Sequence, residues 1–527
     1  VQGDASRLAL HWLAAGEAAR AAPLLVQAAG EALRTYADDE AKLRYFQTLW
    51  SLGPPGSPGP PGPHSRGCDA EARSSPLGEG AGAPNLTKGR AEALLGLEAL
   101  AGRTGDQALQ EAALAALAAL AFEAQDDLLF FRLGLRRAGQ RVKLGKPQEA
   151  MTLASETLAI ARRLSRPDLE AEAALQLGGA AFYAGDLDAA QAAFSQATAA
   201  DDEGVRLRAL NNLGAIAGIR GDLDAAYRYG SEALTLARRG GDLNQIAALL
   251  NNLGATADRL ARYGEARTSF GEAIGLYERS HDAANRTLAL LNLAEIGTRQ
   301  GAYGPAWQAA AEGLALARSR GLPQLLVRAH LVGGALEKGV GRPEEARERF
   351  AQALTAASNA GDRRTQAVAR FNLELCRLLL EPAAPAAALE ALGELEALAL
   401  LDVLPWAYAE LALLASTPEA TRSWSRRITE ARDNLHLRLL AALAEQRAAL
   451  LADPEAGPIA GLASGLEALS VAESPLGYAL LARGYPARDP HRVRLLSRAE
   501  ALLRAQAEGL PEGPRASLFR QTRSWTL

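Results

Sequence analysis

The chain has 527 residues, of which 48% are hydrophobic and 22% charged, and its 57 basic and 61 acidic side chains leave a formal net charge of −4. So even a balance creates no field that would draw in nucleic acid or an acidic membrane, and neither is expected as a direct partner. Cys68 and Cys376 are far apart and outside any C-x-x-C, which argues against a disulfide framework or a thiolate metal site and suits a reducing cytoplasm.

The chain opens at Val1 with no recognisable signal peptide, and its one methionine is Met151. A fragment or processed product is therefore expected. Residues 1–52 read as N-terminal repeat-like helices. Leu8 to Glu17, then Ala21 and Ala28, set up a small-residue spacing, and an amphipathic helix follows from Asp38 to Leu52. Residues 53–88 break all periodicity. The run Gly53 to Pro63 has too few triplets for collagen and reads as a flexible or polyproline linker. Asn85-Leu86-Thr87 matches a glycosylation sequon that a cytoplasmic chain would not use.

A regular array is expected over 89–385. A glycine or alanine ends each hairpin's first helix at Gly105, Gly145, Gly185, Gly221, Ala261, Gly301 and Gly341, with a period near 40 residues. Five residues later comes a small residue: Ala150, Ala190, Ala226, Ala266, Ala306 and Ala346, with Gln110 the exception. Seven further on stand Ala197, Ala233, Ala273, Gly313 and Ala353, with Thr157 the exception. Twelve before the alanine come Gly178, Gly214, Gly254, Ala294 and Gly334. Small residues belong where two helices cross closely, and leucines such as Leu213 and Leu253 fill the remaining space. Gly105-Asp106, Gly185-Asp186 and Gly221-Asp222 join a helix-ending glycine to a helix-capping aspartate. Arginine pairs such as Arg162-Arg163 and Arg238-Arg239 fall late in helices, where they complement the dipole. Residues 386–527 loosen the pattern and read as degenerate or capping repeats. The longest apolar run, Ala112 to Phe122, is too short to span a bilayer.

Strings such as Asn211-Asn212-Leu213-Gly214, Gly221-Asp222-Leu223-Asp224-Ala225-Ala226 and Ser231-Glu232-Ala233-Leu234 resemble the tetratricopeptide repeat. Its usual period is 34, and 40 also falls in the HEAT and armadillo range. The turn-to-alanine step and the Asn-Leu-Gly string favour the tetratricopeptide reading, with the two helices lengthened by about a turn and a half. The resemblance implies an all-α, right-handed superhelical solenoid that binds partners. The segments His11 to Leu25 and Leu510 to Phe519 are similar to the two ends of the sensor arm in STAND-type signalling ATPases and maltose-activator-like regulators. A regulatory arm of such a protein is the alternative reading. The ATPase and DNA-binding modules of that family are not in this sequence.

No catalytic motif is legible. Gly145-Lys146 lacks the upstream glycine of a P-loop, and Pro147 follows it. Gly78 to Gly82 follows no strand. The six histidines show neither an i, i+4 metal pair nor HExxH, and no nucleophile elbow is present. The expectation is a non-enzyme without cofactor or metal, binding a protein, a peptide or a small effector in a groove. The first helix of each hairpin would present the stripe Arg208, Asn211, Ala215, Gly218, then Ala248, Asn251, Ala255, Asp258 with Arg259. Leu288, Leu291, Glu295, Thr298 with Arg299 follow, then Arg328, Leu331, Ala335 and Lys338. Asn212, Asn252, Asn292 and Asn372 form an adjacent amide ladder suited to an extended peptide backbone, since asparagine both donates and accepts. The same amides could equally satisfy neighbouring helices. The lysine that a peptide-carboxylate clamp requires is replaced by Asn211, Asn251, Leu291 and Leu331, so that clamp is not expected.

Overall fold

The computed structural model describes residues 4–14, 18–34, 37–52, 83–381, 385–401, 403–431, 435–459, 462, 475–486 and 488–526. The expected linker lies mostly outside them, at 53–82, and from Ala83 the chain is helical. Among the described residues every regular element is an α-helix. The first three are α1 (Asp4–Ala14), α2 (Ala18–Arg34) and α3 (Asp38–Ser51). The array then runs α4 (Ala83–Thr104), α5 (Gln107–Ala124), α6 (Asp127–Lys143), α7 (Pro147–Arg163), α8 (Pro167–Tyr183), α9 (Leu187–Ala197) and α10 (Glu203–Arg220). It continues with α11 (Leu223–Gly240), α12 (Leu243–Arg259), α13 (Tyr263–Arg279), α14 (Ala283–Arg299), α15 (Tyr303–Ser319), α16 (Pro323–Gly339), α17 (Pro343–Ala360) and α18 (Arg363–Leu380). The last group is α19 (Ala386–Ala397), α20 (Leu404–Leu414), α21 (Pro418–Ala431), α22 (Leu435–Ala452), α23 (Pro475–Arg483), α24 (Pro490–Ala507) and α25 (Glu512–Thr526). Contacts divide the chain into two compact units, Val1–Leu213 and Gly214–Leu527.

The period of 40 is built from two turns. Left-handed residues recur at steps of twenty: Gly105, Gln125, Gly145, Ser165 and Gly185, then Gly221, Gly241, Ala261, His281, Gly301, Gly321, Gly341 and Gly361. Each turn follows a helix of about five turns; α12, α14 and α16 have 17 residues apiece. The left-handed residue lets the chain reverse within three residues, and glycine does this without the penalty a Cβ carries. Ala261, at φ +58, takes the same conformation without that freedom. The capping aspartates behave as their position dictates. Asp106, Asp186 and Asp222 accept from the backbone N–H of Leu109, Ala189 and Ala225 at 3.0, 2.9 and 3.0 Å, satisfying donors that open each helix.

The small-residue columns are buried. Ala150, Ala190, Ala266 and Ala346 are fully inaccessible, and Ala226 is 6% exposed. The glycine column has a second cause beyond close crossing. A Cβ at Gly178, Gly254 or Gly334 would lie 2.6, 2.8 or 2.7 Å from the ring of Phe194, Phe270 or Phe350, each sixteen residues on and 1% exposed. Where the partner position carries Gly230, Gly214 instead meets main chain, with Ala226 O at 3.4 Å. Thr157, the exception in its column, faces Gly134 in the same way. Ala226 packs with Ala217, Ala225 and Tyr229. Ala226→Leu is therefore expected to cost about 1–3 kcal/mol, whereas Glu232→Gln on the exposed face stays within about 0.5 kcal/mol. Nearest-neighbour interfaces stabilise a repeat array, so hydrogen exchange should rise mainly in α10 to α12. A loss spread evenly over every helix would contradict this.

Within unit 2 the helices after Ala386 fold back on the repeats. Leu404, Tyr408 and Leu411 of α20 share a core with Phe371 and Leu375 of α18. Leu439 and Leu443 of α22 and Tyr478 and Leu480 of α23 share another with Ala257, Phe270 and Ile296. Leu503 and Ala507 of α24 pack with Val340, beside Tyr303 and Trp307. Among the described residues no helix is long and apolar enough to cross a membrane.

Candidate ligand cleft

In unit 2 the stripe residues hold one another. Asn292 Nδ2 donates to Asn251 Oδ1 at 2.9 Å, and Arg328 donates to Asn292 Oδ1 at 2.5 Å and to Glu295 Oε2 at 3.2 Å. Arg299 donates to Asp258 Oδ2 at 2.6 Å and also to Glu295 Oε1. Its guanidinium lies 5.2 Å from the centre of the Trp406 ring on α20, within cation–π range. Arg259 donates to the Gly218 carbonyl at 3.0 Å. Lys338 Nζ reaches Glu410 at 2.7 Å and Asn372 Oδ1 at 3.4 Å, while Asn372 Nδ2 donates to Val368 O at 2.9 Å. Six of the sequence candidates, Asn251, Asn292, Arg259, Arg299, Arg328 and Asn372, thus have protein partners. Arg208, Asn211, Asn212 and Asn252 have no side-chain-to-side-chain bond among the described residues. Leu291, expected on the open stripe, is instead fully buried, with Gly313 facing it. Asn211, Asn251 and Leu331 at the equivalent position are half-buried, so the position lies at the stripe's edge, between the open face and the core.

The charge in Glu295 follows from this knot. Burial works against its carboxylate, but Arg299 and Arg328 outweigh that and hold it below the usual range. The reverse pull, against its own burial, raises the Arg299 guanidinium.

Unit 1 offers an open counterpart, a cleft of about 650 Å³ walled by α4, α6, α8 and the start of α10. Arg132, Arg136, Lys143, Arg166 and Arg208 line it, against Glu98 and Glu172. Glu98 is 5% exposed. It accepts from Gln110 Nε2 at 2.8 Å and lies 3.6 Å from the Arg136 guanidinium. Gln110, the break in the alanine column, is therefore the partner of a buried carboxylate. Arg166 is occupied by Asp168, with Nε to Oδ1 at 2.8 Å. Arg132, Lys143 and Arg208 have no carboxylate partner among the described residues. Gln140 and Gln176 add amides to the wall, and at Gly179, a turn beyond Gln176 on α8, an added Cβ would meet nothing within 4 Å.

Of these residues only Arg208 belongs to the stripe read from the sequence. The signal for the others was present. Arg136 and Gln176 occupy the column of Asn212, Asn252 and Asn292, and Arg132 and Glu172 the column of Arg208, each thirteen residues before a turn glycine. Extending those columns toward the N-terminus finds the cleft.

The remaining chemistry candidates have structural places. Gly145 sits at φ +69 in a turn, and Lys146 Nζ pairs with Glu149 at 3.1 Å. Burial pushes the Cys376 thiol up to about 11, away from the thiolate that reactivity needs. His330 is buried, and that burial, with Arg349 and Arg318 nearby, lowers its pKa. Among the described residues no group of three His, Cys, Asp or Glu side chains is placed to hold a metal ion.

The tetratricopeptide repeat family model matches residues 205–279, the stretch from α10 to α13. No curated protein matches the sequence. Among solved structures, the chain is similar to aspartyl phosphate phosphatase F from Bacillus subtilis (15% identity, 64% of this chain and 92% of that one, TM-score 0.47). It is similar to the apo form of the quorum sensor NprR from B. thuringiensis (15% identity, 66% and 98%, TM-score 0.45). It is also similar to a Signal Transduction ATPase with Numerous Domains carrying a tetratricopeptide repeat sensor, from Pyrococcus horikoshii (14% identity, 68% and 52%, TM-score 0.38). With its paired helices, recurring turns and small-residue columns, the protein is an all-α helical-repeat protein whose residues 205–279 match the tetratricopeptide repeat.

Proposed function

We propose that the chain is a non-catalytic recognition module whose unit 1 cleft binds an anion-bearing peptide segment or small effector. One observation carries this reading. Arg132, Lys143 and Arg208 face a large cleft without carboxylate partners among the described residues, while the corresponding polar groups of unit 2 bond to each other. Unpaired cations grouped on a concave wall attract an anion, and no ion pair of their own has to be broken to receive it. The amides of Asn211 and Asn212, without a side-chain partner among the described residues and one turn beyond Arg208 on α10, would extend the polar wall.

The test is retention of a randomised nonapeptide library on the immobilised chain. Retained peptides should be enriched in aspartate and glutamate. Enrichment should fall as salt rises, as screening shortens the reach of exposed charges. Arg132→Glu combined with Arg208→Glu should erase it while circular dichroism stays helical. Equal retention by wild type and the double variant would remove the cleft as the binding site.

A further inference from the structure

The cleft carries a charge order as well as a charge excess. Arg132 on α6, Glu172 on α8 and Arg208 on α10 occupy the same repeat position, and all three line the cleft. Glu172 and Arg208 are exposed and Arg132 is half-buried. Arg208 bonds only to the Gly204 carbonyl within its own helix, and none of the three has an ion-pair partner among the described residues. A row of equivalent positions on successive helices therefore reads plus, minus, plus. Beside it, the next column reads Arg136 and then Gln176, with Arg136 paired to Glu98.

We infer that this row selects an extended peptide whose charges alternate acidic, basic, acidic about three residues apart, an inference that rests on the unit 1 cleft being the binding site. The spacing comes from packing. α6 and α8 pack against each other, and Arg208 of α10 lines the same cleft as Glu172 of α8; axes of packed helices lie about 8–10 Å apart, and an extended chain rises about 3.3 Å per residue. One helix step thus corresponds to about three peptide residues. Glu172 in the middle of the row disfavours a uniform polyanion, because a negative charge placed opposite it is repelled. Arg136 pairs with Glu98, so the row of Arg132, Glu172 and Arg208, rather than the second column, presents unneutralised charge to the ligand.

The experiment uses the full chain and two fluorescein-labelled nonapeptides of identical composition, read by fluorescence anisotropy at low salt. One carries aspartate at its second and eighth positions and lysine at its fifth. The other carries lysine at the second and aspartate at the fifth and eighth. The alternating isomer should bind about tenfold more tightly, since the permuted one turns the attractions to half-buried Arg132 and exposed Glu172 into repulsions of modest size. Glu172→Arg should reverse the ranking of the alternating peptide against a third peptide with aspartate at all three positions. Its circular dichroism and melting curve should remain those of wild type, as expected for an exposed side chain. Equal affinities for the two isomers, with no change of ranking in Glu172→Arg, would overturn the charge-order proposal. If the library of the preceding test is still acid-enriched, the binding-module reading survives that result. Failure of both isomers to bind, together with an unenriched library, would sink the two together.

Discussion

Phe270→Ala should destabilise the helices around it by about 3–5 kcal/mol, the cost of emptying a large, fully buried aromatic site. Phe270 is 1% exposed and belongs to the core that joins α12 and α13 to α22 and α23, so its loss loosens two packing surfaces. The glycine opposite sharpens the expectation. A Cβ at Gly254 would lie 2.8 Å from the Phe270 ring, so Gly254→Ala alone should cost about 1–3 kcal/mol by overpacking. In the Phe270→Ala background the same change should be close to neutral, because the ring it collides with is gone, and a small side chain recovers part of the void. A double-mutant cycle read by urea denaturation and by exchange of the α12 and α13 amides measures the coupling. Additive losses would mean that the glycine and the ring do not share the space assigned to them. The same logic applies at Gly178 with Phe194 and Gly334 with Phe350.

Arg299→Leu is the second large effect. It removes the donor shared by Asp258, 15% exposed in its side chain, and Glu295. The expected loss is about 1–3 kcal/mol, the usual result of stranding partly buried acceptors. The variant should also change the acid response. Arg299 and Arg328 overcome the burial of Glu295 and hold its pKa below the ordinary value in the folded state. A folded pKa below the unfolded one stabilises fully above the unfolded value near 4.3, and that stability is lost as pH falls through the folded value. Wild-type unit 2 should therefore weaken below about pH 4, and Glu295→Gln should flatten that limb. Arg299→Leu should lie between the two, since Arg328 remains. Unchanged melting and an unchanged acid limb in both variants would show that solvent screens the knot.

The order of Gly254 and Phe270 illustrates what a linear reading reaches. The glycine column was legible because small residues recur at the repeat period. Its partner was not, because phenylalanine stands only in alternate repeats, at Phe194, Phe270 and Phe350, with Gly230 and Ala310 between them. The second turn, glycine at Gly241, Gly321 and Gly361, was hidden in the other repeats for a related reason. Gln125, Ser165 and His281 take the left-handed conformation without glycine, so composition does not mark them.

Period, composition and caps by themselves determined an all-helical repeat chain, its hairpin turns and most of its buried columns. These are local properties, set by spacing along one helix and repeated from unit to unit. Which polar residues are spent was decided only by the tertiary structure. Asn292, Arg299 and Arg328 sit on the stripe that the spacing marks, yet they meet Asn251, Asp258 and Glu295 from the neighbouring repeat or their own. Arg132 and Arg208 sit on the same kind of stripe and meet no carboxylate among the described residues. Helix periodicity states which face a side chain occupies. Whether the face opposite supplies its counter-charge depends on segments far away in sequence, such as α20, whose Trp406 and Glu410 lie against Arg299 and Lys338.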